Sequence, residues 1–218
     1  IVANAMRTKP ASKWMRIFED ADVPYAPALT TEQAMDDPQI MHNDMVMELD
    51  DPLLGMTSLA GLPINLSQTP GNVRGPRASS AVQAADWLSE NPDLVKNQAV
   101  SAGDNQDELP LHDVKILEAA NVIAGPIAGR LLADLGAKIV KLESLYGDIS
   151  RPAGAGGFVF YNANKRSISV DTRTEQGREI AQRIAAESDV LLANMRPGAT
   201  DRMGLSSEKL AEINPNLI

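Results

Sequence analysis

Short apolar segments alternate with longer amphipathic ones from residue 113 onward, and this alternation restricts the fold more than any other feature. The segments VKILEAA, AKIVKLES, RSISVDT and DVLLAN have the composition of short strands. GPIAGRLLADLG and TEQGREIAQRIAAES, the latter with Thr174 as a candidate cap, have helical patterns. Strands that alternate with helices form parallel βαβ units, so the sequence predicts an α/β, Rossmann-like part with helices on both faces of the sheet.

The beginning of the sequence follows a different plan. ASKWMRIFEDA has helical spacing, Thr30 or Thr31 begins a second short helix, and MVMELDD and GMTSLAGLPINLSQTPG are typical of short strands. These patterns predict a small α+β domain over residues 1–75. Residues 76–112 are polar and acidic and are expected to form a linker with one helix in SSAVQAADWLSE. Residues 113–218 form the third predicted part.

Acidic residues are in excess only in the first half of the sequence. Residues 1–110 carry 7 Lys and Arg against 16 Asp and Glu, whereas residues 111–218 carry 13 of each. Neither half has the basic excess of a nucleic-acid-binding protein, and no stretch approaches the roughly 18 apolar residues of a membrane span. We therefore expect a cytoplasmic protein with no nucleic-acid or membrane partner.

The scarcity of thiol and imidazole groups excludes several kinds of chemistry. The sequence has no cysteine, which excludes disulfides, thiolate metal sites and a cysteine nucleophile. The histidines are His42 and His112, too few for a multi-histidine metal site, and neither stands beside a nucleophile-elbow motif. No metal is expected, and the many carboxylates single out no catalytic residue.

Basic residues follow two of the predicted strands. In VLLANMRPGATDRMG, Asn194 stands at the end of a strand, and Arg196 and Arg202 flank a Pro-Gly turn; Arg173 follows another strand. Ligands of parallel α/β sheets bind beyond the carboxyl ends of the strands, and the planar guanidinium group suits phosphate. The sequence therefore predicts an anion site at this edge, although a solvated charged surface fits the same residues equally well.

Other motifs in this part are weaker. AANVIAGPIAG opens a helix after a strand but lacks the G-x-G-x-x-G spacing, so it is interpreted as a βα turn. GAGG, at residues 154–157, does not lead into GK[ST] and is predicted to be a surface loop. Glu143 and Asp171 end strands, where an acid acts as a cap or a salt-bridge partner as often as it acts in catalysis.

Four stretches together resemble the family III CoA-transferases, the group that includes formyl-CoA transferase, carnitine CoA-transferase and the α-methylacyl-CoA racemases. They are AGPIAGRLLADLGAKIVKLES, NANKRSISVDTRTEQGREI, DVLLANMRPGATDRMGL and LAEINPNLI. Residues 113–218 resemble the beginning of a family member, whereas residues 1–75 resemble the small domain near the family's carboxyl terminus. This inverted order leads us to expect the middle of a tandem-repeat protein, with a circular permutant as the alternative.

The resemblance implies a site for coenzyme A, as a substrate. The implied contacts are Val122, Ile123, Ala124, Val170, Arg173, Asn194, Met195, Arg202 and Met203. Arg173 stands where formyl-CoA transferase has a lysine, which keeps the charge. Ser144 stands where that enzyme has an arginine, so one phosphate contact is expected to be missing.

The resemblance also implies an enzyme that moves coenzyme A between carboxylic acids through an aspartyl anhydride and an aspartyl thioester. The family's catalytic aspartate follows the NPxLI segment and so lies beyond Ile218, which makes the piece inactive alone. The alternatives are a transferase coupled to a lyase step, an acyl-CoA racemase and a non-catalytic CoA-binding repeat. The expected partners are an acyl-CoA and a carboxylic acid, with assembly as an intertwined homodimer or an intramolecular pseudo-dimer.

Overall fold

The computed structural model describes residues 1–76, 89–90, 109–153 and 155–218. The chain divides into two compact units, Ile1–Gln98 and Ala99–Ile218. Most of the predicted linker over residues 76–112 lies outside the described residues, so the predicted three-part division stays a prediction. No helix in the described part of the chain is long and apolar enough to cross a bilayer.

Up to residue 76, the first unit has four short helices followed by a β-hairpin. Its elements are α1 (Val2–Met6), α2 (Ala11–Asp20), α3 (Thr31–Met35), α4 (Pro38–His42), β1 (Val46–Asp51) and β2 (Gly55–Ala60). Thr30 begins α3 through a capping box with Gln33, in which each side chain accepts a hydrogen bond from the other residue's backbone N–H. β1 and β2 pair antiparallel. The predicted short helix and the two predicted strands are therefore observed.

The second unit alternates strands and helices. Its elements are β3 (Lys115–Ala119), α5 (Ala124–Asp134), β4 (Lys138–Glu143), a 3₁₀ turn (Arg151–Ala153), α6 (Ala155–Asn162), β5 (Lys165–Ser169), α7 (Glu175–Ala186), β6 (Val190–Ala193), α8 (Ala199–Arg202) and α9 (Ser207–Ile213). Thr174 caps α7 by accepting a hydrogen bond from the backbone N–H of Gly177. The predicted cap is therefore confirmed.

The four strands of this unit form one parallel sheet in the order β5-β4-β3-β6. Ile116 of β3 lies opposite Ile139 of β4 and Val190 of β6, which sets the register. Successive residues of a strand point to opposite faces, and Ile116 and Leu117 accordingly belong to two different apolar clusters. One cluster packs against α5 and the other against α7 and α9. The predicted Rossmann-like α/β arrangement is confirmed.

One local prediction is wrong. Residues 154–157 were expected to form a surface loop, but α6 begins at Ala155. Glycine weakens a helix only modestly. Tertiary contacts of the apolar residues that follow outweigh the tendency of glycine to favour a loop. Phe158 lies under the guanidinium group of Arg151, with 4.1 Å between the Arg151 Cζ and the ring centre.

Candidate functional site

Two adjoining pockets open at the carboxyl-terminal edge of the parallel sheet. The first pocket, beyond β4 and β5, has a volume of about 480 Å³. The second pocket, beyond β3 and β6, has a volume of about 530 Å³. Asn121 and Met195 line both of them. This edge is where ligands bind in open α/β sheets.

The residues that the resemblance implies for coenzyme A all line one of these pockets. Val170, Arg173, Met195 and Met203 line the first pocket, and Val122, Ile123, Ala124, Asn194, Met195 and Arg202 line the second. They come from segments that follow β3, β5 and β6. The structure therefore brings the predicted residues to one edge, whereas their contact with coenzyme A stays a prediction.

All three arginines of the predicted anion site line the pockets, Arg173 the first and Arg196 and Arg202 the second, and Arg173 and Arg202 have different surroundings. Arg173 donates from Nε and Nη2 to Oδ1 and Oδ2 of Asp171, over 2.8 and 2.9 Å. These hydrogen bonds lower the pKa of Asp171 and raise the pKa of Arg173. Among the residues that the structure describes, no carboxylate pairs with Arg202. Arg202 is therefore the less neutralised of the two cations.

A tight turn at residues 144–147 forms one wall of the first pocket. Ser144 Oγ accepts a hydrogen bond from the backbone N–H of Tyr146 and donates one to the carbonyl of Gly147, over 3.3 and 3.0 Å. Gly147 has a φ of 79°, and a Cβ there would lie 2.7 Å from Arg151 Cδ. The turn leaves Tyr146, which lines the pocket, 91% exposed as a residue. The Tyr146 ring thus lies two residues after Ser144, the position at which the resemblance led us to expect an arginine.

A network of paired charges, all of them buried except Arg151, adjoins the first pocket through Glu143. Its members are Glu118, Lys141, Glu143, Asp148, Arg151 and Lys165. Glu118 and Asp148 have fully buried carboxylates, and the side chains of Lys141 and Lys165 are 1% and 2% exposed. Buried charges are tolerated only when they are paired, and here cations and anions are equal in number.

Lys141 is the centre of this network. Its ammonium group contacts Glu118 Oε1 at 3.1 Å, Asp148 Oδ2 at 2.9 Å and the carbonyl oxygen of Ala120 at 2.5 Å. The contacts with Glu118 and Ala120 are hydrogen bonds, whereas the contact with Asp148 is an ion pair without hydrogen-bond geometry. Ala120 directly precedes Asn121, which lines both pockets, and Asp148 directly follows Gly147, which lines the first. Lys141 therefore connects the segments that form the walls of the two pockets.

The ionised forms of Asp148 and Glu143 are favoured, because the pKa of each lies below its ordinary value. Burial alone would raise the pKa of Asp148, but hydrogen bonds from Ser150 and the charge of Lys141 outweigh it, so the net pKa lies below the ordinary value. Burial opposes ionisation of Glu143 in the same way, but Arg151, the backbone N–H of Asp148 and the charge of Lys141 together keep its pKa below the ordinary value. Burial also lowers the pKa of Lys165, which the hydrogen bond to Glu118 offsets only in part.

Sequence reasoning did not identify this network, although the sequence carries a signal for it. Glu118 and Lys141 each lie within a predicted strand, among apolar residues, and a charged residue in a buried strand is more informative than an apolar one. The interpretation of Glu143 and Asp171 as structural partners agrees with their pairing to Arg151 and Arg173. Asn121, which lines both pockets, was also missed because its role depends on backbone contacts rather than on residue type.

The fold and the pockets define an α/β unit whose cleft lies at the carboxyl ends of parallel strands, with cationic and apolar side chains together in its walls. The model of CoA-transferase family III matches residues 1–78 and 111–218. The chain therefore belongs to CoA-transferase family III.

Curated relatives match about half of the chain. A formyl-CoA:oxalate CoA-transferase from Streptomyces coelicolor is 41% identical over 115 residues, which cover 50% of this chain and 28% of the relative. A protein of the same name from Escherichia coli O81 is 38% identical over 117 residues, with the same coverage. The matched stretch thus spans less than a third of the length of these relatives.

Solved structures match a similar share. A CAIB/BAIF family protein from Brucella suis is 43% identical, with a TM-score of 0.47, and the match covers 51% of this chain and 32% of that one. A hypothetical protein from Mycobacterium tuberculosis is 38% identical, with a TM-score of 0.49, over 50% of this chain and 31% of that one.

Proposed function

We propose that this chain supplies the coenzyme A site of an enzyme that transfers coenzyme A between carboxylic acids. The observation that carries the proposal is the gathering of the nine implied contact residues at one edge of the sheet, around two adjoining pockets. Membership of CoA-transferase family III supports the same activity. Formyl-CoA:oxalate CoA-transferases are relatives by sequence, but nothing in these pockets selects oxalate or formate.

The pockets have the chemistry that coenzyme A requires. Its phosphates carry several negative charges, and the pockets are lined by three arginines, Arg173 in the first and Arg196 and Arg202 in the second. Its adenine ring needs an apolar surface, which Val170, Met195 and Met203 offer in the first pocket. We infer that the phosphates bind toward Arg202, because Arg173 already shares its charge with Asp171.

The proposed reaction is covalent and uses an aspartate beyond Ile218. That carboxylate attacks the carbonyl carbon of the acyl-CoA thioester, the C–S bond breaks, and an acyl-aspartyl anhydride and the thiolate of coenzyme A result. The thiolate then attacks the aspartyl carbonyl, which releases the first carboxylate and leaves an aspartyl-CoA thioester. The acceptor carboxylate then attacks the aspartyl-CoA thioester, which releases the thiolate and forms a second anhydride. The thiolate attacks the acceptor carbonyl of this anhydride, which gives the new acyl-CoA and frees the aspartate. Binding of coenzyme A by this chain would hold the thiolate between each release and the next attack.

Calorimetric titration of coenzyme A into the full-length protein tests the site. Replacement of Arg202 by alanine removes a charge-assisted contact to phosphate, so affinity should fall about 10- to 100-fold. Arg183→Ala is the matched control, because Arg183 lies on α7 away from both pockets and the variant should bind like the wild type. Equal affinities for the Arg202 variant and the wild type would show that the site lies elsewhere.

Borohydride trapping tests the reaction itself. The full-length protein is incubated with an acyl-CoA, treated with borohydride and examined by mass spectrometry for a carboxylate reduced to an alcohol. A reduced aspartate beyond Ile218 supports covalent transfer. No trapped residue, together with solvent deuterium in the α-carbon of the acyl group, would favour an acyl-CoA racemase instead.

A non-catalytic CoA-binding repeat is the second candidate. It is favoured by Ser144, which stands where an arginine was expected and whose hydroxyl is used within its own turn. Such a repeat would bind coenzyme A without forming a trapped intermediate. Calorimetry and borohydride trapping together therefore separate it from the transferase.

We also propose that the chain comes from a tandem-repeat protein, with residues 1–75 ending one repeat and residues 113–218 beginning the next. None of the described residues of the first unit is fully buried. A unit of this size needs an apolar core for stability, so surface from elsewhere must cover it. An intertwined dimer or an intramolecular pseudo-dimer would supply that cover, and the mass of the full-length protein in solution distinguishes the two.

A further inference from the structure

The residue that follows β3 by three positions has an unusual backbone. Val122 has a φ of 69°, in the left-handed region that β-branched residues rarely adopt. It lies in the wall of the second pocket, and the residue is 46% exposed. Such a conformation is costly and persists only where neighbouring groups enforce it.

Asn194 supplies the enforcing contacts. Its Oδ1 accepts a hydrogen bond from the backbone N–H of Asn121 at 2.9 Å, and its Nδ2 donates to the carbonyl of Asn121 at 3.0 Å. The side-chain amide thus holds both backbone groups of the residue before Val122. It also connects the end of β6 to the end of β3.

Two further contacts stabilise the same turn. Lys141 donates to the carbonyl of Ala120, one residue earlier. Gly125 allows the close approach of Asn194, because a Cβ at Gly125 would overlap Ala120 and lie 3.1 Å from Asn194 Cγ. The turn before α5 is therefore held on both sides of Val122, by Ala120 and Asn121 before it and by Gly125 after it.

We propose that Asn194 is a positioning residue, which holds the Val122 turn in the shape that binds coenzyme A, rather than a side-chain ligand of coenzyme A. This inference rests on the proposed function of the pockets. It assigns to Asn194 a role that differs from the direct contact expected from the sequence. Its particular consequence is that the effect of Asn194 on binding depends on the residue at position 122.

A double-mutant cycle tests this dependence. Calorimetry measures the affinity of the full-length protein for coenzyme A in the wild type, Asn194→Ala, Val122→Gly and the double variant. Because glycine adopts a positive φ without strain, the contacts from Asn194 should matter less in the Val122→Gly background. We expect Asn194→Ala to weaken binding about tenfold beside Val122 and less than about threefold beside the glycine variant.

Two additional variants keep the test decisive. Asn214→Ala removes an asparagine that also bonds to backbone, through the carbonyl of Ser188 at the other end of β6, and should lower stability without changing affinity. If Asn194→Ala does not fold, Asn194→Asp retains the acceptor for the Asn121 N–H and loses the donor. The effect of its added charge is common to both backgrounds and cancels in the cycle.

The outcomes separate this inference from the proposed function. No binding of coenzyme A by the wild type would overturn both. Binding by the wild type, with equal losses from the Asn194 substitution in both backgrounds, would overturn the positioning role alone and identify a direct ligand. A loss confined to the Val122 background supports the positioning role, since a direct contact would not depend on backbone strain.

Discussion

Replacement of Lys141 by methionine is the sharpest test of the buried charge network. Methionine keeps most of the volume of the lysine stem and removes the charge. The Lys141 side chain is only 1% exposed, so neither water nor rearrangement at the surface can replace its ammonium group. Asp148 would lose its only ion pair among the described residues, whereas Glu118 would keep its contact with Lys165.

The expected loss of stability is large. Removal of one partner from a buried ion pair costs about 3–5 kcal/mol, because the remaining charge stays desolvated. This range corresponds to roughly two to three and a half orders of magnitude in an opening equilibrium. A surface lysine substitution changes stability by only about 0.5 kcal/mol or less. Lys138→Met is the matched control, since Lys138 begins the same strand and is exposed.

Hydrogen–deuterium exchange of the full-length protein provides the assay. Peptides that cover β3 and β4 report the opening of this region without the assumption that the whole protein unfolds in one step. Lys141→Met should remove most of their protection, and Lys138→Met should not. The double variant Lys141→Met, Asp148→Asn should recover part of the loss, because the amide no longer carries an uncompensated charge. Unchanged protection in Lys141→Met would refute the view that this network stabilises the sheet.

Three further predictions concern packing, the pocket wall and pH. Gly129→Ala should lower stability by about 1–3 kcal/mol, measured by chemical denaturation, because the added Cβ would overlap Glu118 Oε2; a variant as stable as the wild type would contradict this packing. Tyr146→Ala should weaken binding of coenzyme A about 3- to 10-fold while Tyr146→Phe should not, since the ring rather than the hydroxyl would contact adenine; equal losses would exclude stacking. The pKa of Asp148 lies below its ordinary value of 3.8, so its stabilising contribution is present above that pH and is lost as pH falls through the folded-state pKa. Thermal unfolding in this acid range should therefore depend less on pH in Asp148→Asn, and an identical pH profile would contradict the assignment.

Much of the fold could be predicted because its signals are local. The alternation of strand-like and helix-like segments beyond residue 113 predicted the parallel sheet, and the hydroxyl of Thr174 predicted the start of α7. The start of α6 could not be predicted in this way, since a glycine-rich stretch favours a loop when considered alone. Contacts of the following apolar residues, including Phe158 beneath Arg151, decided in favour of the helix.

The site could be predicted only as a location. Because the carboxyl ends of parallel strands meet at one edge, the positions of Arg173 and Arg202 after predicted strands were enough to place both at that edge, where they line two adjoining pockets. Their different charge environments could not be expected, since the pairing of Arg173 with Asp171 depends on side-chain conformation. The proposed role of Asn194 could not be predicted either, because it depends on hydrogen bonds between the Asn194 side-chain amide and the backbone of Asn121.

The sequence by itself determined the order of strands and helices, the caps and the positions of the residues that follow each strand. These features depend on side-chain periodicity and on neighbours a few positions apart. Only the tertiary structure decided that Lys141 meets Glu118, 23 positions away, and that Asn194 holds Asn121, 73 positions away. The physical reason is that a buried charge or amide is stable only when partners from distant segments satisfy it, and those partners come together only when the strands assemble in one particular order.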